Sequence, residues 1–167
     1  MALRALTEPL APLQAEEQAG STRGHALNVT IVYEDGPTQR WARQVCERVV
    51  RVVGQDAIRR TWWKMSDFGN PAVLAGAVST AMRADVIVVA VRAVEMFPVP
   101  FYVWVDSWLP HRLPGGGALV ALVAQPEWLS TSMDRAREYL RSVARKGRLD
   151  FLIEERQVEP EHGMREA

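Results

Sequence analysis

The sequence predicts one α/β domain, an open parallel sheet of five strands in the order 2-1-3-4-5 with helices on both faces. Three observations predict it. Two near-continuous apolar runs, residues 85–91 (DVIVVAV) and 116–124 (GGALVALVA), have the character of strands buried on both faces. Segments with helical spacing of apolar side chains alternate with the strand-like segments. The connections are short, so right-handed β-α units wind an open sheet. With five strands, that spacing suits the doubly wound order 2-1-3-4-5.

Each element has its own signature. Residues 27–33 (LNVTIVY) are rich in β-branched side chains and end at a turn, Glu34-Asp35-Gly36. Residues 38–53 form a helix whose apolar positions Trp41, Ala42, Val45, Cys46, Val49, Val52 and Val53 keep helical spacing, with arginines covering the other side. Gly54 is its C-cap. Residues 57–65 form a second strand, and the adjacent Arg59 and Arg60 suit a sheet edge. Pro71 starts a helix over 71–82. An aromatic-rich helix covers 98–109, a capped helix covers 130–146, and residues 150–155 (DFLIEE) make the last strand. Pro114-Gly-Gly-Gly117 precedes a strand rather than a helix, so it reads as a flexible connector and not a phosphate cradle.

Composition sets the limits around this domain. The 167 residues make one domain with tails: an N-terminal arm at 1–26, the α/β domain at 27–155 and an acidic tail at 156–167. Leu3, Leu6, Leu10 and Leu13 could line a short helix in the arm, but Pro9 and Pro12 interrupt it. Lys+Arg and Asp+Glu both number 20. Zero net charge argues against a nucleic-acid or anionic-membrane binder. By segment, residues 1–26 hold three acids and two bases and residues 154–167 five acids and two bases, so a mildly basic middle lies between acidic ends. The single cysteine, Cys46, excludes an internal disulfide or a cysteine-based metal site and suits a reducing compartment. No apolar run has the length of a signal-peptide core or a membrane span, so the expectation is a cytoplasmic protein.

Residues 84–90 (ADVIVVA), the helix containing Trp104 and Trp108, and the following GGGALVALVA resemble the third strand, third helix and fourth strand of flavodoxins and NAD(P)H-dependent FMN reductases. Residues 27–38 (LNVTIVYEDGPT) have the length of a flavodoxin first strand and phosphate loop. The resemblance covers about 27–155 and implies a flavodoxin-like fold. It would carry FMN to the cleft at the switch point of the sheet, with Gly36 and Thr38 on the phosphate and Tyr33, Val94 and Trp128 flanking the ring. The loop departs from the family pattern, which is rich in Ser, Thr and Gly because hydroxyls and free N–H groups cradle a dianion. Here two carboxylates, Glu34 and Asp35, stand in the loop, and Pro37 lacks an N–H. A misplaced like charge at ~4 Å costs about 1 kcal/mol in water and several in a partly buried site. No cofactor is therefore expected, with FMN kept as the alternative.

The fold also resembles that of response-regulator receivers, whose paired acids end strand one and hold Mg²⁺. Glu34 and Asp35 match that pair and are the candidate metal ligands. The acceptor Asp, the strand-four hydroxyl and the strand-five Lys are missing: Ala90, Ala124 and Glu154 stand at or near those places.

The candidate site is then the switch-point cleft, lined by Tyr33, Glu34, Asp35, Gly36 and Thr38, with Arg92, Val94, Glu95 and Met96 opposite and Trp128 nearby. It could hold a small polar or cationic ligand. The ordinary reading is that Arg92 pairs with one carboxylate while the other caps the helix. Most of the six tryptophans are expected in the core, with Trp104 or Trp108 at a homodimer interface. No catalytic constellation emerges. The histidines, His25, His111 and His162, lie apart, and no nucleophile elbow is present. The expectation is a non-catalytic module acting through protein association, a homodimer with an unnamed protein partner. The alternative is an FMN-dependent reductase with an atypical phosphate loop.

Overall fold

The computed structural model describes residues 26–54, 57–92, 96–112, 115–125 and 132–157. Within them the chain runs β1 (Leu27–Tyr33), α1 (Gly36–Val53), β2 (Ile58–Lys64), a 3₁₀ turn (Met65–Gly69), α2 (Pro71–Arg83), β3 (Val86–Arg92), α3 (Val99–Trp108), a 3₁₀ turn (Leu109–His111), β4 (Ala118–Gln125), α4 (Ser132–Gly147) and β5 (Asp150–Gln157). The five strands are all parallel in the order β2-β1-β3-β4-β5. This is the expected 2-1-3-4-5 sheet, with the arginine-bearing β2 on one edge. No described helix is long and apolar enough to cross a membrane.

The period-two alternation of the strands splits the core in two. Val32, Ile87, Val89, Val91, Leu119, Ala121 and Val123 meet α2, α3 and α4 on one face. Val29, Ile31, Val88, Ala90, Leu122 and Ala124 meet Trp41, Ala42 and Cys46 of α1 on the other. Adjacent Trp62 and Trp63 divide between the faces, as neighbouring strand residues must.

Trp104 and Trp108 do not form an interface. Both are fully enclosed by their own chain. α3 packs beside α2 and both 3₁₀ turns on this face of the sheet, and the two rings pack together at 5.6 Å, with Phe68 and Phe101 against Trp104 at 5.6 and 5.5 Å. The outward side of α3 carries Val99 and Val103 instead.

Several boundaries differ from expectation for local reasons. α1 begins at Gly36, not residue 38, because Asp35 is its N-cap and Pro37 fits the first turn, where a helix needs no N–H. β4 begins at Ala118, not 116, because Gly116 and Gly117 have φ of 93° and 134°, which no strand holds. The glycine run is thus a built corner and not a loose connector. A Cβ on Gly117 would lie 2.9 Å from the Asp85 carbonyl oxygen. Arg112 braces the same corner: its Nη1 donates to the carbonyls of Ala81 and Ala84 at 3.0 and 2.7 Å, and its Nη2 to that of Gly116 at 3.1 Å. β5 runs on to Gln157, two residues past the expected end, because its polar end is answered on both sides. Glu155 meets Arg137 of α4 at 2.8 Å, and Glu154 meets Arg48 of α1 at 3.4 Å.

Two alanine substitutions separate backbone conformation from collision. Gly116→Ala, with open space around it, is expected to cost about 1 kcal/mol from its left-handed φ alone. Gly117→Ala adds a clash with backbone and is expected to cost about 3 kcal/mol or more. Urea unfolding of both variants checks the order.

Candidate functional site

At the carboxyl edge, β1 and β3 lie side by side at the switch point of the sheet, and β1 feeds α1 through Glu34 and Asp35. A helix start leaves backbone N–H groups without partners. Here the sequence supplies the partner itself. Asp35 takes an extended conformation (φ −154°, ψ −173°), and its Oδ1 accepts from the Thr38 N–H at 3.0 Å. Thr38 replies: its Oγ1 accepts from the Asp35 N–H at 2.9 Å and the Glu34 N–H at 3.1 Å. This is a reciprocal capping box with Thr in the answering position. Thr38 is fully buried and Asp35 is 9% exposed.

The other carboxylate oxygen reaches across the sheet. Asp35 Oδ2 accepts from Arg92 Nε at 2.6 Å. The Arg92 backbone N–H donates to Glu34 Oε1 at 2.8 Å, and the Glu34 N–H donates to the Ala90 carbonyl at 3.1 Å. Asp35 therefore both caps the helix and pairs with Arg92, two roles the sequence reading had divided between two acids. Glu34 takes a third role, tying the end of β1 to the end of β3. Burial pushes the Asp35 carboxyl up, but the Thr38 N–H, the Arg92 guanidinium and the Thr38 hydroxyl together outweigh it and hold its pKa below the ordinary value.

The structure brings Tyr33, Glu34, Asp35, Gly36, Thr38 and Arg92 together at this loop. Tyr33 lies on the α1 side, edge-on to Trp62 at 6.4 Å, with Arg43 over the same indole at 5.7 Å. Met96 is 71% exposed beyond the loop. Val94, Glu95 and Trp128 lie outside the described residues. Among the described residues no group of three or more His, Cys, Asp or Glu side chains could hold a metal. The oxygens of Asp35, the nearer of the two candidate ligands to the helix, are engaged by Thr38 and Arg92.

The loop can be tested against a phosphate. Of the first three helical positions, Pro37 has no N–H, and the Thr38 N–H is held by Asp35. The Thr38 hydroxyl is committed to Asp35 and Glu34. An ionised carboxylate already stands where a helix start would welcome an anion. A phosphate held by Thr38 would have to displace Asp35 from it.

No family model and no curated protein matches the sequence. Solved structures do match the fold. One is a short-chain flavodoxin associated with a non-canonical PDU bacterial microcompartment, at a TM-score of 0.59 and 15% identity over 81% of this chain and 85% of that one. Another is an oxidoreductase from Corynebacterium diphtheriae, at a TM-score of 0.57 and 15% identity over 77% of this chain and 79% of that one. The fold is flavodoxin-like. The strand order 2-1-3-4-5 agrees with it, and at these identities the likeness extends to the fold alone.

Sequence reasoning singled out this loop of the flavodoxin-like domain as the candidate site and missed the double use of Asp35. The signal was present: an acid three residues before Thr38, with Pro37 between, is a capping pattern.

Asp35→Ala is expected to cost about 2 kcal/mol, roughly 1 for the lost cap and 1 for the lost charged hydrogen bond. Urea unfolding at neutral pH measures it. The lowered pKa of Asp35 adds a pH signature. Its stabilisation is present above the unfolded-state pKa near 4 and is lost as pH falls through the lower native value. Wild-type stability should therefore drop below about pH 4 more steeply than that of Asp35→Asn.

Proposed function

We propose that this chain is a non-catalytic, flavodoxin-like module that acts by protein association and does not use its switch-point loop to hold FMN. One observation carries the second half of the reading: the Asp35 carboxylate sits on the first turn of α1, bonded to Thr38 and paired with Arg92. A tethered carboxylate competes for that place without the association cost a free phosphate must meet. Displacing it would leave a charged, nearly buried group without its partners.

The association half rests on surface chemistry. Met96, Val99 and Val103 are 71%, 69% and 42% exposed. Val99 and Val103 are four residues apart and share a side of α3. A homodimer through this side replaces the interface first expected of Trp104 and Trp108. A cytoplasmic setting suits a chain whose one cysteine is a buried free thiol.

The alternative is an FMN-dependent reductase. Its support is the likeness in fold to a flavodoxin and an oxidoreductase. It requires Gly36 and Thr38 to hold phosphate, and so requires Asp35 to leave Thr38.

Titration of FMN with purified protein, read by flavin fluorescence, separates the two. No saturable quenching is expected, corresponding to a Kd weaker than about 0.1 mM. Tight, saturable quenching supports the reductase. Asp35→Ser keeps a capping hydroxyl and removes the charge, and should strengthen phosphate binding by at least about fivefold, the equivalent of ~1 kcal/mol. Sedimentation tests the association: a wild-type dimer that Val99→Glu with Val103→Glu converts to monomer is expected, and a wild-type monomer contradicts self-association.

A further inference from the structure

One face of the sheet carries α2, α3 and α4, whereas the other, among the described residues, carries α1 alone. The seam between α1 and the edge strand β5 is closed by polar side chains for part of its length. Arg156 Nη2 donates to Gln44 Oε1 at 2.8 Å, and Arg48 Nη2 pairs with Glu154 Oε1 at 3.4 Å. From the first pair to the second, the helix advances four residues while the strand steps back two. Those steps are about 6 Å and about 6.6 Å, so the antiparallel elements stay in step. The next step matches Val52 with Leu152. These side chains are 83% and 57% exposed, and Val49, one turn before Val53 and beside Val52 on α1, is 38% exposed. Val120, the half-buried register partner of Leu152 on β4, continues the apolar surface inward. The seam thus changes from polar closure to an open apolar notch at the amino edge of the sheet. Exposed apolar side chains brought to one place in this way mark a surface that something covers.

We infer that the notch is the docking site of the chain's own N-terminal segment, residues 1–25, through Leu3, Leu6, Leu10 and Leu13. The position of entry supports this occupant. All strands are parallel, so β1 begins at Leu27 on the same edge that carries the notch. β5 lies three strands from β1, about 14 Å away. The 14 residues from Leu13 to Leu27 can span roughly 45 Å, so reach sets no bar. Residues 158–167 fit poorly. β5 ends at Gln157 on the opposite edge, and residues 158–167 carry Val158 and Met164 as their large aliphatic side chains. Charge also agrees: Arg51 lies in the last turn of α1 near the notch, and Glu16 and Glu17 follow the leucines. Pro9 and Pro12 break the segment into short pieces, which suits leucines inserted singly along a seam rather than one continuous helix. The docking is independent of whether the switch-point loop binds flavin.

Site-specific photocrosslinking in the full chain tests it. A benzophenone amino acid replaces Leu152 in one variant and Val52 in a second. The second site is highly exposed on a helix, so the substitution leaves folding intact. Illumination is expected to give crosslinks within one chain that map by mass spectrometry to residues 1–25. Adding Leu6→Ser and Leu10→Ser should lower their yield at least about fivefold, since each buried leucine contributes more than that. Crosslinks to residues 158–167, crosslinks to a second copy, or no protein crosslink at either position would overturn the inference.

Discussion

The architecture turns on the Asp35 carboxylate. One oxygen stops the start of α1 from fraying, and the other holds Arg92 at the end of β3. Through it the first helix, the first strand and the central strand share one joint, to which Glu34 adds a bond from β1 to the Arg92 backbone. The joint lies at the place where a doubly wound sheet opens its ligand cleft. Any ligand chemistry at this loop therefore starts from an Asp35 carboxylate and a Thr38 hydroxyl already bonded to their own neighbours.

That economy has an electrostatic consequence. A helix N-terminus attracts an anion through its N–H groups and its dipole, and here the attraction is met by a side chain fixed in sequence. Pro37 removes one donor, Asp35 engages another, and the Arg92 guanidinium pairs with the Asp35 carboxylate. The flavodoxin-like frame and the loop thus point in different directions. The frame is shared with flavin proteins, while the loop has the chemistry of a structural joint. The sheet depends on buried apolar strands and the cleft on a few polar atoms, so the frame alone does not assign the loop's chemistry.

The frame was legible because its signals are repetitive. The run VIVVAV in β3 and the alternation of Val29, Ile31 and Val88 toward one face can be read without any partner. Arg59 and Arg60 announced an edge, and β2 is one. The orientation of α3 was not legible. Val99, Phe101, Tyr102, Val103, Trp104, Val105 and Trp108 are apolar or aromatic on nearly every side, so periodicity cannot say which rings face inward. Only the flanking helices decide that Trp104 and Trp108 are enclosed. The division of labour between Glu34 and Asp35 was hidden for a related reason: either acid could cap, and backbone φ and ψ choose. The glycine corner was read as slack because composition does not reveal that Gly117 abuts the Asp85 carbonyl.

The most direct test of the joint is a side-chain carboxyl NMR titration of Asp35 in the full chain. An ionised carboxylate pinned by Thr38 and Arg92 predicts a pKa below the ordinary aspartate value of 3.8. It also predicts that Arg92→Gln raises that pKa toward it. An Asp35 that titrates at or above the ordinary value, unmoved by Arg92→Gln, would contradict the account.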